Sequence, residues 1–314
     1  MSDSLRRFVL RQAPVRGELV SLDLSWSEVV DRHALPASVR DQLGQLSAAG
    51  LLLAATLKFE GKLILQIHGK GPVSLFVVEC DASGSFRATV KVRSGVPVPE
   101  DATLEQLANE RGGGRFVVTL DPGPAGGQPY QGIVPFEGGS VAQALESYMQ
   151  RSEQVPTRLW LAADEHRAAG LLLQRLPDQG GHTAGMSRPT DTAAPAEDAD
   201  GWDRLVMLAN TVKDKELLTL TEEELLKRLF WQESLDAMEQ RPCQFECSCN
   251  RAKVGSMLAM LGRQEIDEVL AEQNVVKVNC DFCNQQYEFD AVDCAELFAT
   301  DTPQMRPTSG ERPN

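Results

Sequence analysis

The sequence predicts an α+β protein with an amino-terminal domain of mixed sheet and helix, a helical linker and a small carboxy-terminal zinc-binding domain. Three observations predict this architecture. Short apolar runs separated by Gly and Pro fill the first half of the chain, a polar stretch interrupts them, and six of the seven cysteines lie between Cys243 and Cys294. With 314 residues, of which 42% are hydrophobic, the chain can form one large core and a smaller module.

The charge of the chain limits the classes of partner. Its formal net charge of -14 repels phosphate backbones and anionic lipid headgroups, so neither nucleic acid nor membrane is an expected partner. The segment from Met1 to Arg16 lacks the continuous apolar run of a secretory signal. No apolar run reaches about 18 residues, the length that suggests a membrane span. We therefore expect a soluble cytoplasmic protein.

Residues 1–179 are predicted to form the α+β domain. Pro36 to Leu57 carries leucines at helical spacing, and Ser140 followed by Gln143 predicts a capping box at the start of another helix. Runs rich in β-branched and aromatic residues predict strands. These runs are Leu63 to His68, Val73 to Cys80, Phe86 to Val92, Arg115 to Leu120, Gln131 to Phe136, Thr157 to Ala162 and Gly170 to Leu176.

Residues 180–239 are predicted to form a linker that is first flexible and then helical. The stretch from Pro177 to Gly201 contains a single large apolar residue, so it cannot bury enough surface to offset the entropy of ordering it. The pattern then predicts helices from Trp202 to Met238, with a capping box at Thr221 and Glu224. One helical face is unusually apolar, and it either packs on the first domain or becomes exposed in another state. This face consists of Leu225, Leu226, Leu229, Phe230 and Trp231.

Residues 240–298 are predicted to form the zinc-binding domain. Cys247-x-Cys249 and Cys280-x-x-Cys283 supply four thiolates in two close pairs, and apolar residues at helical spacing before and after Gly262 predict two short helices between the pairs. Four sulfurs satisfy the tetrahedral coordination of zinc, and paired ligands on tight turns lose less entropy when the site assembles. The four cysteines are therefore the predicted ligands of one zinc ion per chain. A site closed by four thiolates leaves no position for a catalytic water, so we do not expect an enzyme.

The cysteine spacing leaves open whether the zinc is a permanent structural ion or one that is released. Both cysteine pairs can bind a metal but can also close on themselves when oxidised, and the nearby Arg251 and Lys253 can favour the thiolate form. Cys243 and Cys294 flank the pairs as alternative ligands, although burial as small hydrophobic residues is the simpler interpretation. Cys80 ends an apolar run and is expected in the core.

The main alternative function is an acidic zinc-ribbon module with a permanent structural zinc that binds nucleic acid or another protein. From Gln240 to Asp290, five basic residues face eight acidic ones, which disfavours nucleic acid. The sequence has no phosphate-binding loop of the Gly-x4-Gly-Lys-Ser/Thr type, so a nucleotide is not an expected ligand either.

Several segments resemble one family, the redox-regulated 33 kDa chaperonins, also called heat shock protein 33. Phe245 to Cys249 and Cys280 to Asn284 match the zinc motif of that family. The resemblance covers roughly residues 10 to 298. Further similar segments, in the expected order, are Arg16 to Val20, Leu57 to Gly61, Tyr130 to Val134, Ser152 to Thr157 and Leu171 to Pro177.

This resemblance implies an ATP-independent holding chaperone whose amino-terminal domain binds substrates and whose zinc domain senses oxidative stress. Similar proteins are inactive while reduced and zinc-bound. On oxidation they form disulfides of the type Cys247 with Cys249 and Cys280 with Cys283, release zinc, and unfold the sensor and the linker. The active form, often a homodimer, holds unfolding client proteins and keeps them from aggregating. Residues 299–314 are predicted to be a disordered tail.

Overall fold

The computed structural model describes residues 3–11, 13–57, 61–110, 112–123, 126–136, 139–176 and 200–299. The prediction of an α+β fold is confirmed, and the chain divides between Glu246 and Cys247 into two compact units. Most of the predicted flexible stretch, residues 177–199, and the predicted tail from residue 300 lie outside the described residues. Among the described helices, none combines the length and the apolar character that crossing a membrane requires.

The first unit contains all seven predicted strands, each within two residues of its predicted bounds. Its elements in chain order are β1 (Ser4–Leu10), β2 (Val15–Leu22), α1 (Leu24–Arg32), α2 (Ala37–Thr56), β3 (Lys62–His68), β4 (Val73–Asp81), β5 (Ser85–Val92), α3 (Leu104–Ala108), β6 (Arg115–Asp121), β7 (Tyr130–Pro135), α4 (Val141–Tyr148), a π-helical turn (Met149–Glu153), β8 (Thr157–Ala163), β9 (Ala168–Arg175), α5 (Gly201–Ala209), α6 (Asp214–Thr219), α7 (Glu222–Phe230), β10 (Leu235–Pro242) and β11 (Gln244–Phe245).

Two sheets enclose the main core of this unit. The five-stranded sheet has the order β10-β1-β2-β9-β8 and is antiparallel throughout. The six-stranded sheet has the order β11-β5-β4-β3-β6-β7 and is antiparallel except at the parallel β11-β5 pair. α2 is buried along most of its length, as expected for a helix whose second half, residues 46–55, is almost entirely apolar. Its side chains share one core with residues from both sheets.

The opposite face of the five-stranded sheet is covered by α5, α6 and α7. Successive residues of a strand point to opposite faces of its sheet. Accordingly, Leu172 of β9 belongs to the core around α2, whereas Leu171 and Leu173 belong to a second core that includes the three helices. Both faces of this sheet are therefore buried, which explains why β9 is almost entirely apolar.

The predicted apolar face of the linker lies in that second core. Leu225, Leu226, Leu229 and Phe230 are buried there, which confirms that this face packs on the first domain. Trp231 is an exception, since 72% of its surface is exposed. The inclusion of Trp231 in the packed face was wrong because α7 ends at Phe230 and the chain then turns away.

The helical prediction from Trp202 to Met238 is wrong at its carboxy-terminal end. β10 begins at Leu235 and pairs antiparallel with β1, an interaction that helical periodicity cannot reveal because its partner lies far away in the sequence. β10 and β11 extend the two sheets of the first unit. The first compact unit consequently runs to Glu246, beyond the predicted domain start at residue 240.

The two predicted capping boxes have different outcomes. Thr221 and Glu224 cap α7 reciprocally, as predicted. At α4, the backbone N–H of Gln143 donates to Ser140, but the side chain of Gln143 accepts from the N–H of Gly139 instead of from Ser140. The start of α4 was thus predicted correctly, and only half of its capping box forms.

The second unit is small and built around the cysteine pairs. The two helices predicted between the pairs are present and separated at Gly262, where a φ of +97° favours glycine. Six of the described residues of this unit form a buried core, which is small for an independently stable domain. The core residues are Val254, Leu258, Ile266, Val276, Phe289 and Cys294. The elements are α8 (Arg251–Leu261), α9 (Arg263–Gln273), β12 (Val276–Asn279), β13 (Gln286–Phe289) and α10 (Ala291–Ala299).

Candidate metal centre

The four predicted zinc ligands come together at one point. The sulfur atoms of Cys247, Cys249, Cys280 and Cys283 all lie within 4.8 Å of one another, and they are the one such cluster among the described residues. The Cys247 and Cys280 sulfurs are 3.7 Å apart, and those of Cys249 and Cys283 are 3.3 Å apart. Tetrahedral zinc with four thiolates requires sulfur separations of about 3.8 Å, whereas a disulfide requires about 2.05 Å. The observed spacing therefore suits a metal site in the reduced protein.

The first cysteine pair lies on the extended segment that leads into α8. Asn250 caps this helix, because its side-chain oxygen accepts a hydrogen bond of 2.9 Å from the N–H of Lys253. The ammonium of Lys253 reaches back and donates to the carbonyl of Ser248, at 2.7 Å. Since Ser248 lies between Cys247 and Cys249, these contacts hold the two sulfurs at the start of the helix.

The second pair lies on the turn between β12 and β13. The N–H of Cys280 donates to the carbonyl of Gln285 at 3.0 Å, and the N–H of Asn284 donates to the carbonyl of Cys280 at 2.8 Å. Asn284 has a φ of 57°, in the left-handed region that asparagine tolerates better than most residues. The backbone N–H of Gln285 also donates to the sulfur of Cys283. The sequence thus folds locally into a turn that presents both sulfurs to one side.

The four clustered sulfurs can all be thiolates only when a cation balances their negative charge. Burial and, to a smaller extent, the three neighbouring sulfurs raise the pKa of the Cys283 thiol to about 12, although the N–H of Gln285 opposes the shift. A divalent cation reverses this effect because it stabilises every thiolate around it. The clustered donors are all sulfur, a set that favours zinc over hard cations such as magnesium or calcium. The residues present therefore fit a zinc ion.

Tyr287 is a fifth group at the site. Its hydroxyl donates a hydrogen bond of 3.1 Å to the sulfur of Cys249. This hydrogen bond, with a smaller contribution from burial, raises the pKa of Tyr287 to about 12, so the hydroxyl keeps its proton. Tyr287 is not recognisable as a site residue from the sequence, because its contact with Cys249 depends on how β13 packs beside the segment before α8.

Arg251 was expected to favour the thiolate form of the nearby cysteines, but its described contacts are with residues of β13 and α10. Its guanidinium donates to the carbonyl of Glu288, forms an ion pair of 2.7 Å with Asp293 and lies 4.3 Å from the ring centroid of Phe289. The hydrogen bond from Arg251 also holds the pKa of Asp293 below its usual value. These contacts fasten the start of α8 to β13 and α10, so they support the fold of the unit.

The three remaining cysteines are buried in hydrophobic cores. Cys80 and Cys243 belong to the core around α2, and Cys294 belongs to the core of the second unit. Burial raises the pKa of Cys243 to about 12 and that of Cys80 well above its ordinary value. The interpretation of Cys243 and Cys294 as small hydrophobic residues is confirmed. All seven cysteines are described, and none forms a disulfide.

Comparison with known proteins agrees with the resemblance found in the sequence. The family model described as Hsp33 protein matches residues 3–290. The chain belongs to the Hsp33 family. One relative, the 33 kDa chaperonin of Methylobacillus flagellatus, is 47% identical over 302 residues that cover 96% of each chain. The 33 kDa chaperonin of Chromobacterium violaceum is 46% identical over 299 residues that cover 95% of each chain.

The fold is likewise that of a solved Hsp33 structure. The crystal structure of the 33 kDa chaperonin, a heat shock protein 33 homolog, from Thermotoga maritima matches with a TM-score of 0.76. The match covers 96% of this chain and 100% of the other. Because the two sequences are only 21% identical, this likeness bears on the Hsp33 fold and not on individual residues.

Proposed function

We propose that this member of the Hsp33 family is a redox-regulated holding chaperone that acts without ATP and without catalysing a reaction. Membership of a family whose relatives are named chaperonins supports the chaperone role. The observation that carries the redox part is the cluster of four cysteine sulfurs within 4.8 Å of one another. In this proposal the reduced, zinc-bound protein in the cytoplasm is inactive, and oxidation activates it.

The switch is a change in the chemistry of two cysteine pairs. Cys247, Cys249, Cys280 and Cys283 hold one zinc ion per chain, which when bound cross-links the two segments that carry them. Oxidation takes two electrons from each pair and forms the disulfides Cys247 with Cys249 and Cys280 with Cys283. The electrons from each pair reduce one molecule of hydrogen peroxide. With two protons from the solvent, the peroxide becomes two molecules of water. Because the thiolate is the form that binds metal, oxidation releases the zinc.

Loss of the cross-link acts on a unit that has little other stabilisation. In the described part of this unit, the buried core consists of six residues. A structural zinc contributes on the order of 10 kcal/mol to the folding of small metal-binding domains. We therefore expect the second unit to unfold when its sulfurs are oxidised.

The face of the five-stranded sheet beneath α5, α6 and α7 is the surface that we propose for clients. Phe8, Leu171 and Leu173 are fully buried on this face, so removal of the helices would expose a contiguous apolar area. An ion pair of 2.8 Å from Arg6 of β1 to Glu222 of α7 joins the sheet to the covering helices, and a second of 2.8 Å, from Arg204 of α5 to Glu233, links two parts of the covering. The two carboxylates are only 10% and 6% exposed, so detachment of α7 has to break a largely buried contact between Arg6 and Glu222.

The proposed route from the sensor to this surface follows the chain. α7 continues through β10 and β11 directly into Cys247, and β11 has only two residues. Unfolding of the second unit frees one end of this short strand, after which β10 and α7 can detach. The exposed face then binds unfolding client proteins, and the active form is a homodimer.

The experiment that tests the proposal compares oxidised and reduced protein in one aggregation assay. Oxidised protein should suppress the aggregation of a heat-unfolded client without ATP, and reduced protein should do so poorly. A variant with Cys80→Ala and Cys243→Ala keeps the four switch thiols and should respond to oxidation like the wild type. If the oxidised and reduced proteins suppress client aggregation equally well, the proposed redox switch is wrong. Salt-sensitive RNA binding by reduced protein, with no holding in either form, would support the zinc-ribbon alternative.

A further inference from the structure

Tyr287 lies where a side chain can control one of the four sulfurs. Its hydroxyl is 3.1 Å from the sulfur of Cys249. The backbone of Tyr287 pairs with Val278 across β12 and β13, and its ring packs against the core of the second unit. Both the strand and the core therefore hold the ring in place, and the hydroxyl is directed at Cys249.

The chemistry of this contact differs from that of the backbone hydrogen bond to the Cys283 sulfur. The sulfur of Cys283 accepts from the backbone N–H of Gln285, a donor that belongs to the turn itself. The donor to Cys249 is a side-chain hydroxyl, so a substitution can remove it without changing the backbone. Groups that hydrogen-bond to metal ligands orient those ligands and tune their electron density.

We propose that Tyr287 is a positioning residue of the redox switch, whose hydrogen bond to Cys249 strengthens zinc retention and slows the oxidation of that sulfur. This inference rests on the proposed function. The hydroxyl occupies a lone pair of the thiolate, and a sulfur whose lone pairs are stabilised is a weaker nucleophile. The same hydrogen bond fixes the direction in which Cys249 presents its sulfur to a metal.

The step that Tyr287 slows is the attack of the Cys249 sulfur on hydrogen peroxide. A lone pair of the sulfur forms a bond to one oxygen, the O–O bond breaks, and the second oxygen leaves as hydroxide. The sulfur is thereby oxidised to a sulfenic acid, and the peroxide is reduced. The thiolate of Cys247 then attacks this sulfur, forms the disulfide and displaces a second hydroxide, and both hydroxides take protons from the solvent.

The test uses the full-length, reduced, zinc-loaded protein and the variant Tyr287→Phe, which keeps the ring and lacks the hydroxyl. Competition with a chelator should show about tenfold weaker zinc binding, at the low end of the effect of such outer partners. After addition of hydrogen peroxide, alkylation of the remaining thiols and mass spectrometry measure the oxidation rate at each cysteine. Oxidation at Cys249 should be faster in the variant than in the wild type.

Asp290→Ala is the matched control. Asp290 accepts hydrogen bonds from the N–H groups of Val292 and Asp293 at the start of α10, so its loss weakens the same unit without removing a donor to sulfur. Equal changes in zinc affinity and in Cys249 oxidation for Tyr287→Phe and Asp290→Ala would overturn the proposal, as would oxidation of Cys249 at the wild-type rate in Tyr287→Phe.

The two proposals can fail separately. If wild-type protein holds clients only after oxidation and Tyr287→Phe behaves like the wild type, the inference about Tyr287 is wrong and the proposed function stands. If wild-type protein never gains holding activity while Tyr287→Phe speeds the oxidation of Cys249, the proposed function is wrong and the role of Tyr287 stands.

Discussion

At the scale of single residues, the cysteines fall into two environments. The four site cysteines are partly exposed, whereas Cys80, Cys243 and Cys294 are buried. A dissolved oxidant or chelator can reach the first group, whereas burial shields the other three thiols from it. The cysteines that react with a dissolved oxidant or chelator should therefore be the same four that bind the metal.

The reduced protein should carry one zinc per chain, and replacement of Cys247, Cys249, Cys280 and Cys283 by Ser should abolish zinc binding, because a neutral hydroxyl is a poor ligand for zinc. Elemental analysis, combined with titration of accessible thiols, measures the outcome. Cys294→Ala is the control within the same unit and should retain zinc. Zinc loss that tracks Cys243 or Cys294 would show that the ligand set is wrong.

At the scale of elements, a buried carboxylate joins three strands of the five-stranded sheet. Glu18 of β2 is 2% exposed, and one of its carboxylate oxygens lies 3.2 Å from Nε of Arg7 on β1. Arg16 on β2 and Arg241 on β10 add positive charge. Burial outweighs these attractions and raises the pKa of Glu18 to about 7.

This raised pKa predicts how the first unit responds to pH. Between about pH 4.5 and 7 the folded state binds more protons than the unfolded state, so the contribution of Glu18 to the free energy of unfolding falls as pH rises. The shift corresponds to about 3 kcal/mol over that range. Glu18→Gln should flatten this part of the pH dependence in denaturant titrations, whereas Glu100→Gln in an exposed loop should not. Identical pH dependence in the wild type and Glu18→Gln would contradict the assignment.

At the scale of the whole molecule, the two units are stabilised by different means. The first has a large core between its two sheets and a second core beneath α5, α6 and α7. The second has a six-residue core and a candidate zinc site. Loss of a metal should therefore affect the second unit first, because hydrophobic burial alone already stabilises the first.

Hydrogen exchange before and after oxidation should resolve the order of unfolding. Residues 247–299 should lose protection on zinc release, and α5, α6, α7 and β10 should lose it with them if the linker follows the sensor. The strands from β3 to β9 should keep their protection and serve as the internal reference. Protection that persists from residue 201 to 245 in an active protein would mean that the switch reaches clients by another route.

Local patterns were sufficient for much of the fold. The strands from β3 to β9 and the helices α2, α4, α8 and α9 were predicted because their apolar spacing is set by neighbours in the sequence. β1 and β2 were missed, in part because Gly17 interrupts the apolar pattern of β2. The ring of Phe8 covers Gly17 so closely that an added Cβ would lie 2.0 Å from the ring atom Cζ. That reason for a glycine exists only in the paired strands.

The sequence by itself determined the family resemblance and the four cysteines of the candidate metal centre, because close ligand pairs are a local property of the chain. Only the tertiary structure brought the two pairs together, directed Tyr287 at Cys249 and turned Arg251 towards Asp293. It also decided that residues after Leu235 form a strand and that the apolar face of α7 is buried. Each of these outcomes depends on partners far away in the sequence, which periodicity and spacing do not encode.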